Sequence, residues 1–124
     1  MKLAIIGSRT CPPIEIEKYV ESMPETIVSG GAKGADTYAR EYARKNNLNL
    51  IEMLPDYKKY GRIAPVVRDK QIVEACDCLI AFWDGESRGT KYTVDYAQSK
   101  SKPIKIVNFM TNEISCSADW MVPK

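Results

Sequence analysis

Histidine is absent from this sequence. That removes the commonest general base and the commonest zinc ligand, and leaves any catalysis to carboxylates, lysine, tyrosine or backbone dipoles. Charge of one sign is also scarce in excess: 18 Lys and Arg stand against 16 Asp and Glu, a formal balance of +2. Proteins that grip nucleic acid by bulk electrostatics carry a stronger basic surplus or patch, so an anionic ligand here must be met by local groups. No apolar run approaches the roughly 20 residues of a membrane span, and the stretch from Met1 to Gly7 is too short for a secretory leader; the cytoplasm is the expected compartment. The four cysteines, Cys11, Cys76, Cys78 and Cys116, fit neither a zinc knuckle nor a redox Cys-x-x-Cys pair. Free thiols are expected, with Cys76 and Cys78 acting as small core residues. Neither a metal nor a cofactor is called for.

What is present is the composition of an ordinary soluble domain: 124 residues, 44% hydrophobic and 27% charged. Short β-rich runs alternate with stretches of helical period. Strands are expected at Leu3–Ile6, Thr26–Val28, Leu48–Leu54, Cys78–Phe82 and Pro103–Phe109, most of them continuous apolar runs of the kind that is covered on both faces. Four helices are expected between them. The first opens at Pro12 and Pro13, with Ile16, Val20 and Met23 on one face; the second carries Ala35, Ala39, Tyr42 and Ala43 as a narrow stripe. The third begins near Pro65, and the fourth begins with Thr90 as its N-cap. The order implies an α/β fold, a three-layer Rossmann-like sandwich around a central, mainly parallel five-stranded sheet, with a ligand crevice where the strand order reverses beside the first strand. Residues 1–110 form the binding domain in this reading. The stretch from Asp56 to Pro65 is a loop over the site, and 111–124 is a tail packing on the body or on a partner through Trp120 and Met121.

Three strands run straight into glycine-containing turns that precede helices, all at one edge of the expected sheet. They are Gly7-Ser8-Arg9, Ser29-Gly30-Gly31-Ala32-Lys33-Gly34-Ala35-Asp36, and Asp84-Gly85-Glu86-Ser87-Arg88-Gly89-Thr90-Lys91. Glycine lets backbone approach a ligand, successive amides form an anion-binding nest, and the following helix adds its positive end. Any one such turn is more often only a turn; their coincidence is the signal. Neither the Walker spacing nor Gly-x-Gly-x-x-Gly is present, so phosphoryl transfer on a P-loop and ordinary dinucleotide chemistry are not supported.

These same residues, with Asp56…Tyr60-Gly61…Arg68 and Ala81-Phe82-Trp83-Asp84-Gly85-x-Ser87-Arg88-Gly89-Thr90, resemble the SLOG superfamily, and within it the small YspA-type, YpsA-related branch. The resemblance runs over roughly residues 3 to 109. It implies a Rossmannoid fold whose glycine turns bind nucleotides or nucleotide derivatives, in a superfamily that also holds the LOG phosphoribohydrolases and the Smf/DprA proteins. The hydrolase branch carries Pro-Gly-Gly-x-Gly-Thr-x-x-Glu. With Gly89-Thr90 laid on its Gly-Thr, the glutamate position is Thr93, which weighs against hydrolysis.

The expected function is therefore binding or sensing of a phosphorylated, nucleotide-like ligand. Gly7, Ser8, Arg9, Ser29, Gly30, Gly31, Lys33, Gly34, Asp36, Arg68, Trp83, Asp84, Gly85, Ser87, Arg88, Gly89 and Thr90 are its candidate contacts. Asp36 either holds a ribose hydroxyl or serves its helix dipole, and Arg68 either reaches a phosphate or pairs with Asp69 or Glu74. Trp83 and Tyr60 are candidates to stack on a base, and Trp83, at a strand end, could instead pack beneath the loop. Cleavage of an N-glycosidic bond is the rival reading, with Glu86 and Asp95 as the nearby carboxylates. Single-stranded DNA binding ranks last, and a homodimer is the expected assembly.

Overall fold

The computed structural model describes residues 1–31 and 34–121. β1 (Lys2–Gly7), β2 (Thr26–Ser29), β3 (Asn49–Glu52), β4 (Cys78–Trp83) and β5 (Ile104–Asn108) are parallel, and β6 (Glu113–Cys116) runs antiparallel to β5. The order across the sheet is β3-β2-β1-β4-β5-β6, so the chain changes direction of growth between β1 and β4. Helices α1 (Ala35–Lys45), α2 (Tyr57–Tyr60), α3 (Ala64–Ala75) and α4 (Arg88–Ser99) fill the connections.

Strict alternation in the central strands builds two cores on opposite faces. Leu3 and Ile5 of β1, Ile27 of β2, and Cys78, Ile80 and Phe82 of β4 face one side, where α1 covers them with Ala35, Ala39, Tyr42 and Ala43. Ala4, Ile6, Val28, Leu79 and Ala81 face the other, under Ile72 and Val73 of α3 and Val94 and Ala97 of α4. Each large side chain so buried contributes about 1.5–3 kcal/mol. This double covering is why the strands read as unbroken apolar runs. The small stripe of α1 brings its backbone close to the sheet, and the paired registers Ile5↔Ile80 and Ile6↔Ala81 place the ends of β1 and β4 side by side.

Four expectations need correction. The sheet has six strands, not five. Past β5 the Asn108 side chain accepts from Met110 N at 3.0 Å and Thr111 N at 3.2 Å, Asn112 takes a φ of 63°, and the chain reverses into β6. The first helix reduces to a 3-10 turn at Ile16–Tyr19, flanked by extended Glu15 and Val20; Ile16 is buried, but Met23 is 61% exposed rather than on a helical face. The stretch from 56 to 65 is not a loop: Asp56 accepts from Lys59 N at 3.1 Å to cap α2, and a 3-10 turn at Gly61–Ile63 leads directly into α3. The N-cap of α4 is Ser87, three residues before Thr90.

Trp120 and Met121 are buried within the chain's own core. Trp120 donates through Nε1 to Glu21 at 2.7 Å, and Lys105, 8% exposed at its side chain, joins Glu21 at 2.6 Å and the Tyr19 carbonyl at 2.7 Å. These two residues therefore offer no surface to a second copy.

Candidate functional site

A cavity of about 400 Å³ opens at the carboxyl ends of β1, β2 and β4, where the strand order reverses. Its walls come from the turn after β1, the turn after β2, the first turns of α3 and of α4, and the start of α1.

The β1 turn is held by close backbone approach. A Cβ on Gly7 would lie 2.6 Å from Ala35 Cβ and 2.6 Å from the Phe82 carbonyl oxygen, so only glycine fits there. Ser8 is buried, donates its amide to Phe82 O at 2.9 Å, and accepts from Asp84 N at 3.2 Å through its hydroxyl. It ties the β1 and β4 turns together. Gly34, at φ 79°, closes on this turn from the other side: a Cβ there would stand 2.6 Å from Ser8 O.

After β2, Ser29 is fully buried and its hydroxyl accepts from Gly31 N at 3.4 Å. Gly30 lines the cavity, and its carbonyl accepts from Arg68 Nη1 at 3.0 Å. Arg68 also donates from Nε to Asp69 at 2.8 Å, so of the two partners expected for it, Asp69 is the one it takes; Glu74 accepts from Tyr96 instead. With two of its five N–H groups engaged, the guanidinium still faces the cavity. Asp36, buried in the first turn of α1, lines the same wall.

The β4 turn is organised by Asp84. Its carboxylate accepts from Glu86 N at 2.9 Å, Ser87 N at 2.7 Å and Thr10 Oγ1 at 3.3 Å, and the two backbone N–H groups hold it below the ordinary carboxylate range. The amides of residues 84, 86 and 87 are thus consumed within the protein. The first bond inside α4 runs from Lys91 N to Ser87 O at 3.2 Å, so the amides of Arg88, Gly89 and Thr90 have no helical acceptor. They are the part of the expected nest that remains to a ligand.

Of the candidates read from the sequence, Gly7, Ser8, Arg9, Gly30, Asp36, Arg68, Asp84, Ser87, Gly89 and Thr90 line the cavity. Ser29, Gly31, Gly34, Trp83, Gly85 and Arg88 are not among its lining residues, and Lys33 falls outside the described residues. Trp83 donates from Nε1 to Ser87 O at 3.0 Å and packs beneath the turn. Tyr60 likewise stands off the cavity, under Lys59. Glu86 is exposed away from it, and Asp95, also exposed, is paired with Lys91 at 3.0 Å.

Ile6, Thr10, Pro65, Asp69, Ile72 and Thr93 also line the cavity and were not among the candidate contacts. Asp69 and Ile72, and Thr90 and Thr93, are spaced i, i+3 on their helices, which puts each pair on one face toward the sheet. That spacing was the available signal. Burial pushes the Asp69 carboxyl above its usual range, against the opposing pull of Arg68. Among the described residues no group of three or more Cys, Asp or Glu side chains is arranged to hold a metal ion.

Residues 1–60 match the model of the YspA, cpYpsA-related SLOG family, and the resemblance read from the sequence is borne out there. DNA processing protein A (DprA) from Streptococcus pneumoniae shares the fold, with a TM-score of 0.66 at 20% identity over 86% of this chain. The chain spans 50% of that DprA chain. No curated protein matches it significantly.

Proposed function

From a chain whose first 60 residues carry the SLOG match, we propose that this protein binds a nucleotide or nucleotide-derived phosphorylated molecule in the cavity at the β1/β4 switch point. One observation carries the reading: turns remote in sequence, at Gly7–Thr10, at Gly30 and at Ser87–Thr90, converge on one cavity, beside the amino end of α4 and two arginines. Unpaired amides at a helix start and guanidinium groups are the combination that takes a phosphoryl group. Arg9 and Arg68 supply the positive charge, and the amides of Gly89 and Thr90 supply the directional bonds.

The volume of about 400 Å³ sits at the lower end of small-molecule sites, which run from roughly 300 to 1,000 Å³, and suits one nucleotide better than an extended strand. The DprA neighbour is a DNA-processing protein, yet this chain's balance of +2 gives little support to strand binding. The glycosidase reading loses its two carboxylates, because Glu86 and Asp95 stand outside the cavity. Thermal melting with a panel of nucleoside monophosphates tests the reading. A ligand at 100 times its Kd adds about 2.7 kcal/mol of stability, visible as a rise of several degrees. No shift with any member of the panel, together with a salt-sensitive gel shift on single-stranded DNA, would replace it.

A further inference from the structure

We propose that the cavity selects ribonucleotides over 2′-deoxyribonucleotides, and that Asp69 is the specificity-determining residue that reads the sugar hydroxyls. This rests on the nucleotide reading above and adds the sugar to it.

The cavity is unusual for an anion site in holding acidic groups as well as basic ones: Asp36, Asp69 and Asp84 stand in it with Arg9 and Arg68. A phosphoryl group brings only acceptors and satisfies none of those carboxylates. Two of the three are accounted for by the fold. Asp84 is committed to its own turn by three bonds, from the Glu86 and Ser87 amides and the Thr10 hydroxyl, and Asp36 is buried in the first turn of α1 with contacts of its own.

Asp69 differs from both. Its side chain is 18% exposed and lies on the cavity wall, with Oδ1 taken by Arg68 Nε at 2.8 Å. The Thr93 hydroxyl beside it donates to Gly89 O at 2.9 Å and also lies within hydrogen-bonding reach of the Asp69 carboxylate, which leaves that carboxylate with acceptor capacity beyond Arg68 and Thr93. A carboxylate accepts about four hydrogen bonds, and a ligand that expels water from this wall must bring donors to replace it. In a nucleotide the groups placed to do so are the ribose hydroxyls. A 2′-deoxy sugar brings one fewer, and leaves a desolvated acceptor short of a partner.

The same inventory limits the ligand's charge. Three carboxylates against two guanidiniums, among the described residues, leave no surplus for the extra anionic groups of a triphosphate, so a monophosphate is the better guest.

The test is calorimetric titration of the wild-type protein with AMP, GMP, CMP and UMP, their 2′-deoxy counterparts, and ATP. The ribonucleotide that binds best is expected to bind roughly 10- to 100-fold more tightly than its deoxy form, the range for one hydrogen bond to a charged acceptor. ATP is expected to bind more weakly than AMP. In Asp69→Asn, an isosteric change that keeps an oxygen for Arg68, the ribo/deoxy ratio should fall to within about threefold while phosphate-dependent binding persists. Equal affinity for ribo and deoxy forms on the wild type overturns the inference and leaves nucleotide binding standing, and it needs no variant to fold. Discrimination that survives in Asp69→Asn overturns the role of Asp69. Absence of binding by every monophosphate removes the nucleotide reading and this inference with it.

Discussion

Gly7→Ala is the sharpest probe of how the site is assembled. The added methyl would stand 2.6 Å from Ala35 Cβ and from the Phe82 carbonyl oxygen, about 1 Å inside ordinary contact, and 3.2 Å from Phe82 Cβ. None of these atoms is the flexible end of a side chain. Ala35 is fully buried at the start of α1, and Phe82 belongs to the central strand β4, so relief requires β1, α1 and β4 to separate. Overpacking of this kind costs about 1–3 kcal/mol, and with both contacts on rigid elements the upper half of that range applies. For a domain of this size that lowers Tm by roughly 6–12 °C. Thermal unfolding followed by circular dichroism measures it. The double variant Gly7→Ala, Ala35→Gly removes one of the two obstructions and leaves the carbonyl, so it should recover part of the loss and not all of it. A Gly7→Ala protein that melts within 1–2 °C of wild type would refute the packing described for this turn, and full recovery in the double variant would show that Phe82 O does not constrain it.

Asp84 gives a pH-dependent counterpart. Its carboxyl is held below the ordinary aspartate value of 3.8, so the stability it contributes is present above that value and is lost as pH falls through the lower folded value. The Tm gap between wild type and Asp84→Asn should be open at neutral pH and close on acidification below about 3.8; a gap independent of pH contradicts the capping role. Lys105→Ala should cost about 2–3 kcal/mol, less than a fully buried pair because Glu21 is partly solvated, and should redden Trp120 emission by freeing the ring that Lys105 overlies at 5.4 Å. Native protein should react with a disulfide reagent at Cys116, the exposed thiol. Burial pushes Cys11 and Cys76 up to about 11 and Cys78 up to about 12, so these three should react only after unfolding.

The parallel sheet was legible because β1 and β4 are buried on both faces, which forces their apolar residues into unbroken runs. β6 left no such mark: all four of its residues are exposed, and what creates it is the Asn108 turn, a local hydrogen-bonding device with no apolar period. The site was legible where it consists of strand ends and glycines, as at Gly7, Gly30 and Gly89. It was illegible at Asp69 and Thr93, because these become neighbours only when α3 and α4 lie side by side. Adjacency in sequence misled in the β4 turn. Trp83, Gly85, Glu86 and Arg88 are interleaved with lining residues, yet the turn folds around Asp84 and directs them elsewhere. Gly34 matters, but for its closeness to Ser8 O rather than for a ligand.

The strand order divides the vessel between two stretches of polypeptide. Residues 1–60 contribute β1, β2, α1 and β3, and from them the Gly7–Thr10 turn, Gly30 and Asp36 of the lining; Arg68 and Asp69 of α3, Asp84 and residues of the Ser87–Thr93 stretch supply much of the rest. A fragment ending at residue 60 would leave β1 with one flank bare, where β4 belongs. Two pieces cut within Gly61–Ile63 and co-expressed should therefore reassociate through the β1/β4 seam, and a captured guest molecule would act as a clasp across it.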